Sequence, residues 1–452
     1  MLNSLRRQPL TISLWGIISE LYRREKIGRM KKVKVYNDRL NGTVSVPPSK
    51  SAAHRAIICA SLSRGKSVIS PVEMSEDVRA TIECMKSLGT ELSLEGRTLT
   101  VDGSKTLSAE KALLNCGESG STLRFLIPVA AVGGVDAVFT GRGRLPERPI
   151  GVFTECLPEK GVACETGGGL PLHINGRLQS GVYRIPGNIS SQFITGLLLA
   201  LPLADGDSEI ILTSPAQSVG YIRMTTDIME QFGVSVEETA GGWHIRGGQS
   251  YSARSFTVEG DWSQAAFFMT AAALGGRITI DNLSLASRQG DRACMELYSR
   301  FGAVVTAAPD GSITIEQGSL HGTEIDASDI PDLVPALAVT AAVCEGTTVI
   351  RGAGRLRIKE CDRLAAMSDG LSRLGADVQE TADGLIIHGV RKLHGGSVEG
   401  CNDHRIVMSF TVAAAAADGE IIISDPDSIN KSYPSFFEDH SRLGGRTDVI
   451  MG

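Results

Sequence analysis

The stretch Ser87-Leu-Gly89, followed by Val101-Asp-Gly103, reads as a helix end, a glycine cap, a strand, a turn and a second strand. The same reading returns at Glu159-Lys-Gly161 with Ile174-Asn-Gly176 and at Gln231-Phe-Gly233 with Ile245-Arg-Gly247. It returns again at Arg300-Phe-Gly302 with Glu316-Gln-Gly318 and at Arg373-Leu-Gly375 with Ile387-His-Gly389. A sixth helix end, Arg442-Leu-Gly444, has no following strands before the chain stops. The capping glycines are 72, 72, 69, 73 and 69 residues apart. Glycine just past the last helical residue takes the left-handed conformation that closes a helix, so the period has a mechanical cause.

A second series interleaves with the first. Ala/Leu-rich helical runs end near Gly65, Gly134, Gly206, Gly276, Gly346 and Gly419, and each leads into a strand such as Ser67-Val-Ile or Glu420-Ile-Ile-Ile. Each unit of about seventy residues therefore holds two helices and several short strands. Mostly apolar stretches such as Phe193-Ile-Thr-Gly-Leu-Leu-Leu-Ala-Leu read as buried helices, and the first series as amphipathic ones. Solenoid repeats are usually shorter, roughly 20–50 residues. A chain of 452 residues is too long for one core, so the six α/β units are expected to form two domains of three.

Composition narrows the function. With 42% apolar and 21% charged residues the chain is a folded protein, not a disordered one. Its net charge of −6 speaks against nucleic acid and membrane surfaces as partners, although a local basic pocket remains open. At 5%, aromatics are too few for a base-stacking platform. Nine scattered cysteines, without a Cys-x-x-Cys pair or a His-Glu-x-x-His run, read as reduced thiols of a cytoplasmic protein without a metal site. No apolar run approaches the ~18–20 residues needed to span a bilayer. Residues 1–29, rich in arginine, read as an extension outside the fold, since Met30 is followed at once by a strand-like Val33-x-Val35.

Polar clusters fall at the starts of the repeat helices. In the buried series they are Ser49-Lys50-Ser51 with Arg55, Glu118 to Arg124, Ser190-Ser191-Gln192, Asp261, Asp332 and Asn402-Asp-His-Arg405. In the amphipathic series they are Glu76-Asp77, Arg144 with Glu147-Arg148, Ser218 with Tyr221, Gln289-Gly-Asp291, Lys359-Glu360 with Arg363, and Lys431. Helix starts attract anions, whereas adding Lys or Arg there is unfavourable for an isolated helix. Lys50, Arg55, Arg124, Arg148, Lys359, Arg363, Arg405 and Lys431 in a net-acidic chain therefore point to a ligand rich in phosphate or carboxylate. Singly, such serines and aspartates read as caps and such cations as surface charge; it is their recurrence that argues for a site. Asp261 and Asp291 read as caps or domain-closure residues, and His404 as a structural hydrogen-bonding histidine. Arg64-Gly-Lys-Ser67 resembles the end of a phosphate loop, but Ala60 stands where its first glycine belongs.

These same residues carry a resemblance. Val46-Pro-Pro-Ser-Lys-Ser-Ala-Ala-His-Arg55, Ser119-Gly-Ser-Thr-Leu-Arg124, Leu356-Arg-Ile-Lys-Glu-Cys-Asp-Arg-Leu364 and Asn402-Asp-His-Arg-Ile-Val-Met408 are similar to the motifs of the 5-enolpyruvylshikimate-3-phosphate synthase family. Glu147-Arg-Pro-Ile150 and Pro186-Gly-Asn-Ile-Ser-Ser-Gln-Phe193 agree, and the likeness runs from about Lys31 to Gly444. It implies a two-domain inverted α/β barrel built from six βαβαββ repeats, three per domain. Residues 49–259 would form the N-terminal lobe, and residues 30–48 with 260–452 the C-terminal lobe. The chain would cross near Pro48 and near Glu259, with Lys31–Val46 supplying the strands missing from the sixth unit.

The implied reaction moves the enolpyruvyl group of phosphoenolpyruvate to the 5-hydroxyl of shikimate 3-phosphate and releases phosphate, a step of aromatic amino-acid biosynthesis. It needs no metal or organic cofactor and is carried out by a monomer. By resemblance, Lys50, Ser51, Arg55, Ser190, Ser191, Gln192, Ser218, Tyr221, Asp332 and Lys359 hold shikimate 3-phosphate. Lys50, Gly120, Arg148, Gln192, Arg363, Arg405 and Lys431 hold phosphoenolpyruvate. Asp332 is the implied base, with Glu360 and Lys50 as proton-transfer partners.

Four positions depart from the pattern: Glu118 stands where many members have Asn, Ser121 for Thr, Phe125 for Pro and Arg355 for Asn. A carboxylate at position 118 is unfavourable beside phosphoenolpyruvate unless a cation pairs with it. Two other readings predict different behaviour. A UDP-N-acetylglucosamine enolpyruvyl transferase carries Lys-Asn in the first motif and uses a loop cysteine, to which Cys116 comes nearest. A non-catalytic phosphate-binding repeat protein binds ligand without turnover.

Overall fold

The computed structural model describes residues 31–451, so the expectation for residues 1–29 lies outside the described residues. Gly89, Gly161, Gly233, Gly302, Gly375 and Gly444 all take φ between 82° and 103°, the left-handed caps that the period demands. At Gly302 a Cβ would also stand 2.2 Å from the Ser319 carbonyl oxygen, so only glycine lets the chain turn there.

Twelve α-helices occur among the described residues, two per unit. The buried series comprises Lys50–Leu62, Gly120–Gly133, Ser191–Ala200, Trp262–Ala273, Val334–Ala341 and His404–Ala413. Trp262–Ala273 is buried at every position, as a helix apolar all round should be. The partner helices are one-sided: in Glu76–Ser87, Val78, Ile82 and Met85 face inward while Glu83 and Lys86 face out.

Six four-stranded sheets share one strand order. In the second unit Lys111–Asn115 runs parallel to Asp136–Thr140, which pairs antiparallel with Leu172–Gly176, itself antiparallel to Val162–Thr166. The parallel pair needs a crossover, and the buried helix Gly120–Gly133 supplies it. In the first sheet Ser255–Thr257 takes the parallel edge beside Lys66–Ser70; in the fourth, Asn41–Ser45 takes it beside Arg277–Asp281.

The sixth sheet corrects one expectation. Thr447–Met451 follows Gly444 as a strand, antiparallel to Lys31–Val35, which pairs in turn with Ile421–Ser424. Lys31–Val35 does complete the sixth unit, but Asn41–Ser45 leaves for the fourth. Thr447–Met451 is an edge strand with Val449 and Met451 mostly exposed, so it lacks the buried alternation that marks a strand in sequence.

Apolar side chains gather in two cores, one from Ala52 to Val258, the other from Val33–Val46 together with Trp262–Leu443. The chain passes between them twice, side by side. Pro48 bridges Gly260, Ser49 N donates to the Glu259 carbonyl at 2.7 Å, and Asp261 N to that of Pro47 at 2.9 Å. No helix of the described residues is long and apolar enough to cross a membrane. The nine cysteines are unbonded thiols, and no cluster of three or more His, Cys, Asp or Glu among the described residues is placed to hold a metal.

Candidate active site

A helix start needs acceptors for its free N–H groups, which puts polar side chains there. Ser49, Ser119, Ser190, Asp261 and Asp403 each cap a helix of the buried series through a backbone N–H. The following residues face one cleft between the two cores. Its lining contains Lys50, Ser51, Arg55, Gly120, Arg148, Ser190, Ser191, Gln192, Ser218, Tyr221, Asp332, Lys359, Glu360, Arg363 and Arg405. Of the residues to which the resemblance gives a substrate or catalytic role, Lys431 is the one not on this lining. Eight Lys and Arg face three carboxylates across it, an excess suited to a ligand with several anionic groups.

On the side of the first core, neutral groups hold Arg55 and Arg124. Arg55 Nε donates to Thr225 Oγ1 at 2.7 Å, Nη1 to the Ser51 carbonyl at 2.7 Å and Nη2 to that of Tyr221 at 3.1 Å. Arg124 Nη1 donates to Gln192 Oε1 at 2.7 Å, and Gln192 Nε2 to Ser121 Oγ at 2.9 Å. Arg148 packs on Gly120 so closely that a Cβ there would lie 2.8 Å from its guanidinium. Lys50 and Arg148 are the exceptions, with Asp77 2.7 Å from the Lys50 ammonium and Glu360 3.8 Å from the Arg148 guanidinium. Ser218 starts its helix from a left-handed φ of 58°.

On the side of the second core, carboxylates hold the cations. Arg363 forks among Asp403 at 2.7 Å, Glu360 at 2.8 Å and Asp332 at 3.1 Å. Arg405 donates to Asp332 Oδ2 at 3.0 Å and to the Asp332 carbonyl at 2.9 Å. Burial alone would raise the Asp332 carboxyl, but Arg405, Lys359 and Arg363 outweigh it and hold the group far below the usual range. Burial is likewise outweighed at Glu360, where Arg363, Arg148, His404 and Lys359 keep the carboxyl low. Burial pushes the Lys359 ammonium down to about 8 against the pull of Asp332.

Some lining residues have no substrate assigned from sequence, although Arg124 counts among the cations that point to an anionic ligand and Asp77 among the helix-start clusters. Arg124, Asp77 and Arg355 face the cleft. Arg355 Nη1 reaches Gln217 Oε1 at 3.4 Å, Nη2 donates to the Ser328 carbonyl, and Nε is buried without a partner. His404, expected to be structural, leaves both ring nitrogens without a partner, and burial with Lys50 and Arg405 keeps it neutral. The absence of a hydrogen bond among the described residues departs from the hydrogen-bonding role expected of it. The unusual Glu118 is paired: Lys431 Nζ lies 2.7 Å and Asn402 Nδ2 3.0 Å from its Oε2, so one carboxylate ties together residues from the two cores' segments. Asp291, read as a cap or closure residue, has its Oδ2 2.7 Å from the Tyr221 hydroxyl oxygen, so it bonds to a residue of the opposite core.

Known proteins match this chain over nearly its whole length. The family model described as EPSP synthase (3-phosphoshikimate 1-carboxyvinyltransferase) covers residues 35–440. A 3-phosphoshikimate 1-carboxyvinyltransferase of Clostridium perfringens is 47% identical over 419 residues, 92% of this chain and 99% of that protein. The one of Clostridium novyi is 45% identical over 430 residues, with 93% and 99% covered. An EPSP synthase structure from Acinetobacter baumannii superposes with a TM-score of 0.77 at 27% identity, covering 93% of this chain and 100% of that one. The enolpyruvyl transferase NikO from Streptomyces tendae shares the mixed α/β fold, at a TM-score of 0.77 and 17% identity. A cleft built for several anions, on a chain matched this far, makes the protein a member of the EPSP synthase (3-phosphoshikimate 1-carboxyvinyltransferase) family.

Proposed function

We propose that this protein transfers the enolpyruvyl group of phosphoenolpyruvate to the 5-hydroxyl of shikimate 3-phosphate and releases phosphate. The observation that carries this reading is the pairing of Asp332 with Arg363 and Arg405, opposite Arg55 and Arg124, which neutral groups hold. Arg363 and Arg405 already bind a carboxylate, which suits them to the carboxylate of phosphoenolpyruvate. Its phosphate then falls to Lys50, Arg148, Gln192, Lys431 and the backbone at Gly120. Ser51, Arg55, Ser190, Ser191, Ser218, Tyr221 and Lys359 take shikimate 3-phosphate.

The same pairing supplies a way to activate the base. Asp332 is a weak proton acceptor while three cations surround it. When the carboxylate of phosphoenolpyruvate draws Arg363 and Arg405 to itself, Asp332 recovers proton affinity. It then takes the proton of the 5-hydroxyl as that oxygen bonds to C2 of phosphoenolpyruvate, and the methylene carbon is protonated to a methyl group. Removal of a methyl proton and loss of phosphate complete the exchange. Glu360 and Lys50 handle the proton at that carbon, and the phosphate-side cations stabilise the leaving group.

We also read the molecule as a two-domain inverted α/β barrel of six βαβαββ repeats, with lobes at residues 49–259 and at 30–48 with 260–452. The shared sheet order and the two cores support this reading. Lobe closure would then bring both cation sets together and exclude water. The test is phosphate release from phosphoenolpyruvate with either shikimate 3-phosphate or UDP-N-acetylglucosamine as acceptor. Release with shikimate 3-phosphate alone is expected. Release with the sugar nucleotide alone, or none with either, contradicts the assignment.

A further inference from the structure

The Tyr221 hydroxyl lies 2.7 Å from Asp291 Oδ2 and 3.1 Å from Asp332 Oδ2. A phenol has one proton to give, and an ionised carboxylate has none. With both aspartates ionised, one of these two contacts would set oxygen lone pairs against each other. The phenol itself keeps its proton, because burial, Asp291 and Asp332 all raise it well above its ordinary value. One carboxyl must therefore be neutral, and the surroundings decide which. Asp332 receives Arg363 and Arg405 directly. Among the described residues Asp291 has no ion pair within 4 Å, is 3% exposed, and leaves Oδ1 buried without a partner. An unpartnered oxygen costs less on a neutral acid than on a carboxylate.

We propose that Asp291 carries a proton and donates it to the Tyr221 oxygen, so that Tyr221 in turn donates to Asp332 and a directed chain positions the candidate base. Asp291 is a positioning residue: it acts on Asp332 through Tyr221. Kept neutral, it adds no second negative charge beside the base and leaves the Tyr221 proton pointing to Asp332. The chain joins the two sides of the cleft, since Tyr221 sits on Val219–Gln231 and Asp291 on the short helix Gly290–Ala293. The other charged or titratable groups facing Asp291 are Arg405, Asp261, Arg355, Cys294 and its neighbour Arg292. Burial first, then the charge of Asp332, pushes the Asp291 carboxyl up to about 7, against the opposing pull of Tyr221 and Arg405.

The consequence of Asp291 for kinetics rests on the role given to Asp332, but its protonation does not. Infrared titration of the substrate-free protein should show the carbonyl stretch of a neutral carboxylic acid on the acid side of about 7, fading on the alkaline side. That band should be missing from Asp291→Asn. A raised carboxyl also makes the native state bind a proton the unfolded chain has lost. Its contribution to stability is full below 3.8 and disappears as pH rises through about 7, so Asp291→Asn should gain on the wild type in Tm across that window. For turnover, kcat/KM of the wild type should fall as pH passes about 7, and Asp291→Asn, which still donates to Tyr221, should shift that fall to about 8, where Lys359 deprotonates. Asp291→Leu should lose kcat about tenfold or more with little change in KM. A band that persists in Asp291→Asn, or an alkaline fall unmoved by that substitution, overturns the proposal; absence of turnover in both proteins leaves the infrared and Tm outcomes to decide it.

Discussion

The two sides of the cleft bind their cations in opposite ways. Arg55 and Arg124, with the first core, are held by hydroxyls, an amide and backbone carbonyls, so their charge is left for a ligand. Arg363 and Arg405, with the second core, are already neutralised by Asp332, Glu360 and Asp403. Arg55 and Arg124 therefore form a ready-made anion receptor that need change no partner when an anion arrives. In the proposed reaction the second side would work by exchange: a substrate carboxylate would displace a protein carboxylate, and what it displaces would be the candidate base. In the proposed reaction the separation is thus between arginines left free for a ligand and arginines that must first give up a carboxylate.

The largest effect that would break this separation lies at Asp332. Asp332→Asn should lower kcat about a thousandfold, the scale of a lost general base, while Kd for shikimate 3-phosphate measured by calorimetry stays within about threefold. A matched loss of binding would mean that Asp332 belongs to the receptor side. Next comes Arg55→Lys, which keeps the charge and loses the fork. KM for shikimate 3-phosphate should rise about thirtyfold with KM for phosphoenolpyruvate little changed, the size of one or two charge-assisted hydrogen bonds. A rise confined to phosphoenolpyruvate in steady-state kinetics would reverse the assignment of the two substrates.

The smallest effect sharpens the comparison at its seam. Glu118 covers Lys431 at 2.7 Å, so the one phosphate-side cation outside the cleft lining behaves like the second side and must exchange partners. Glu118→Gln should lower KM for phosphoenolpyruvate about threefold, a modest gain because the amide that replaces the carboxylate can still accept from Lys431 and Asn402. An increase in KM would show that Glu118 orients Lys431 for the substrate instead of competing with it.

Much of this was legible in the chain because the period is enforced residue by residue: a left-handed cap every seventy residues or so admits glycine and little else. Helix starts crowded with Lys, Arg and Ser likewise pointed to the cleft before its shape was known. What escaped the sequence was long-range. Thr447–Met451 pairs through its backbone with a segment more than 400 residues away and buries little of its own side chains. Asp403 looks like any helix cap, and its second task, holding Arg363 at 2.7 Å, comes from a residue 40 positions earlier. Glu118 could be recognised as costly without a cation, but only the fold brings Lys431, 313 residues on, to its side.

The central claim, that phosphoenolpyruvate takes Arg363 and Arg405 away from the base, is tested most directly by a crystal structure of Asp332→Asn with both substrates bound and turnover blocked. The account predicts the phosphoenolpyruvate carboxylate on Arg363 and Arg405, the 5-hydroxyl of shikimate 3-phosphate against residue 332, and the shikimate phosphate on Ser190 and Ser191. A phosphoenolpyruvate carboxylate bound instead to Arg55 or Arg124, with Arg363 and Arg405 still turned to residue 332, would contradict it.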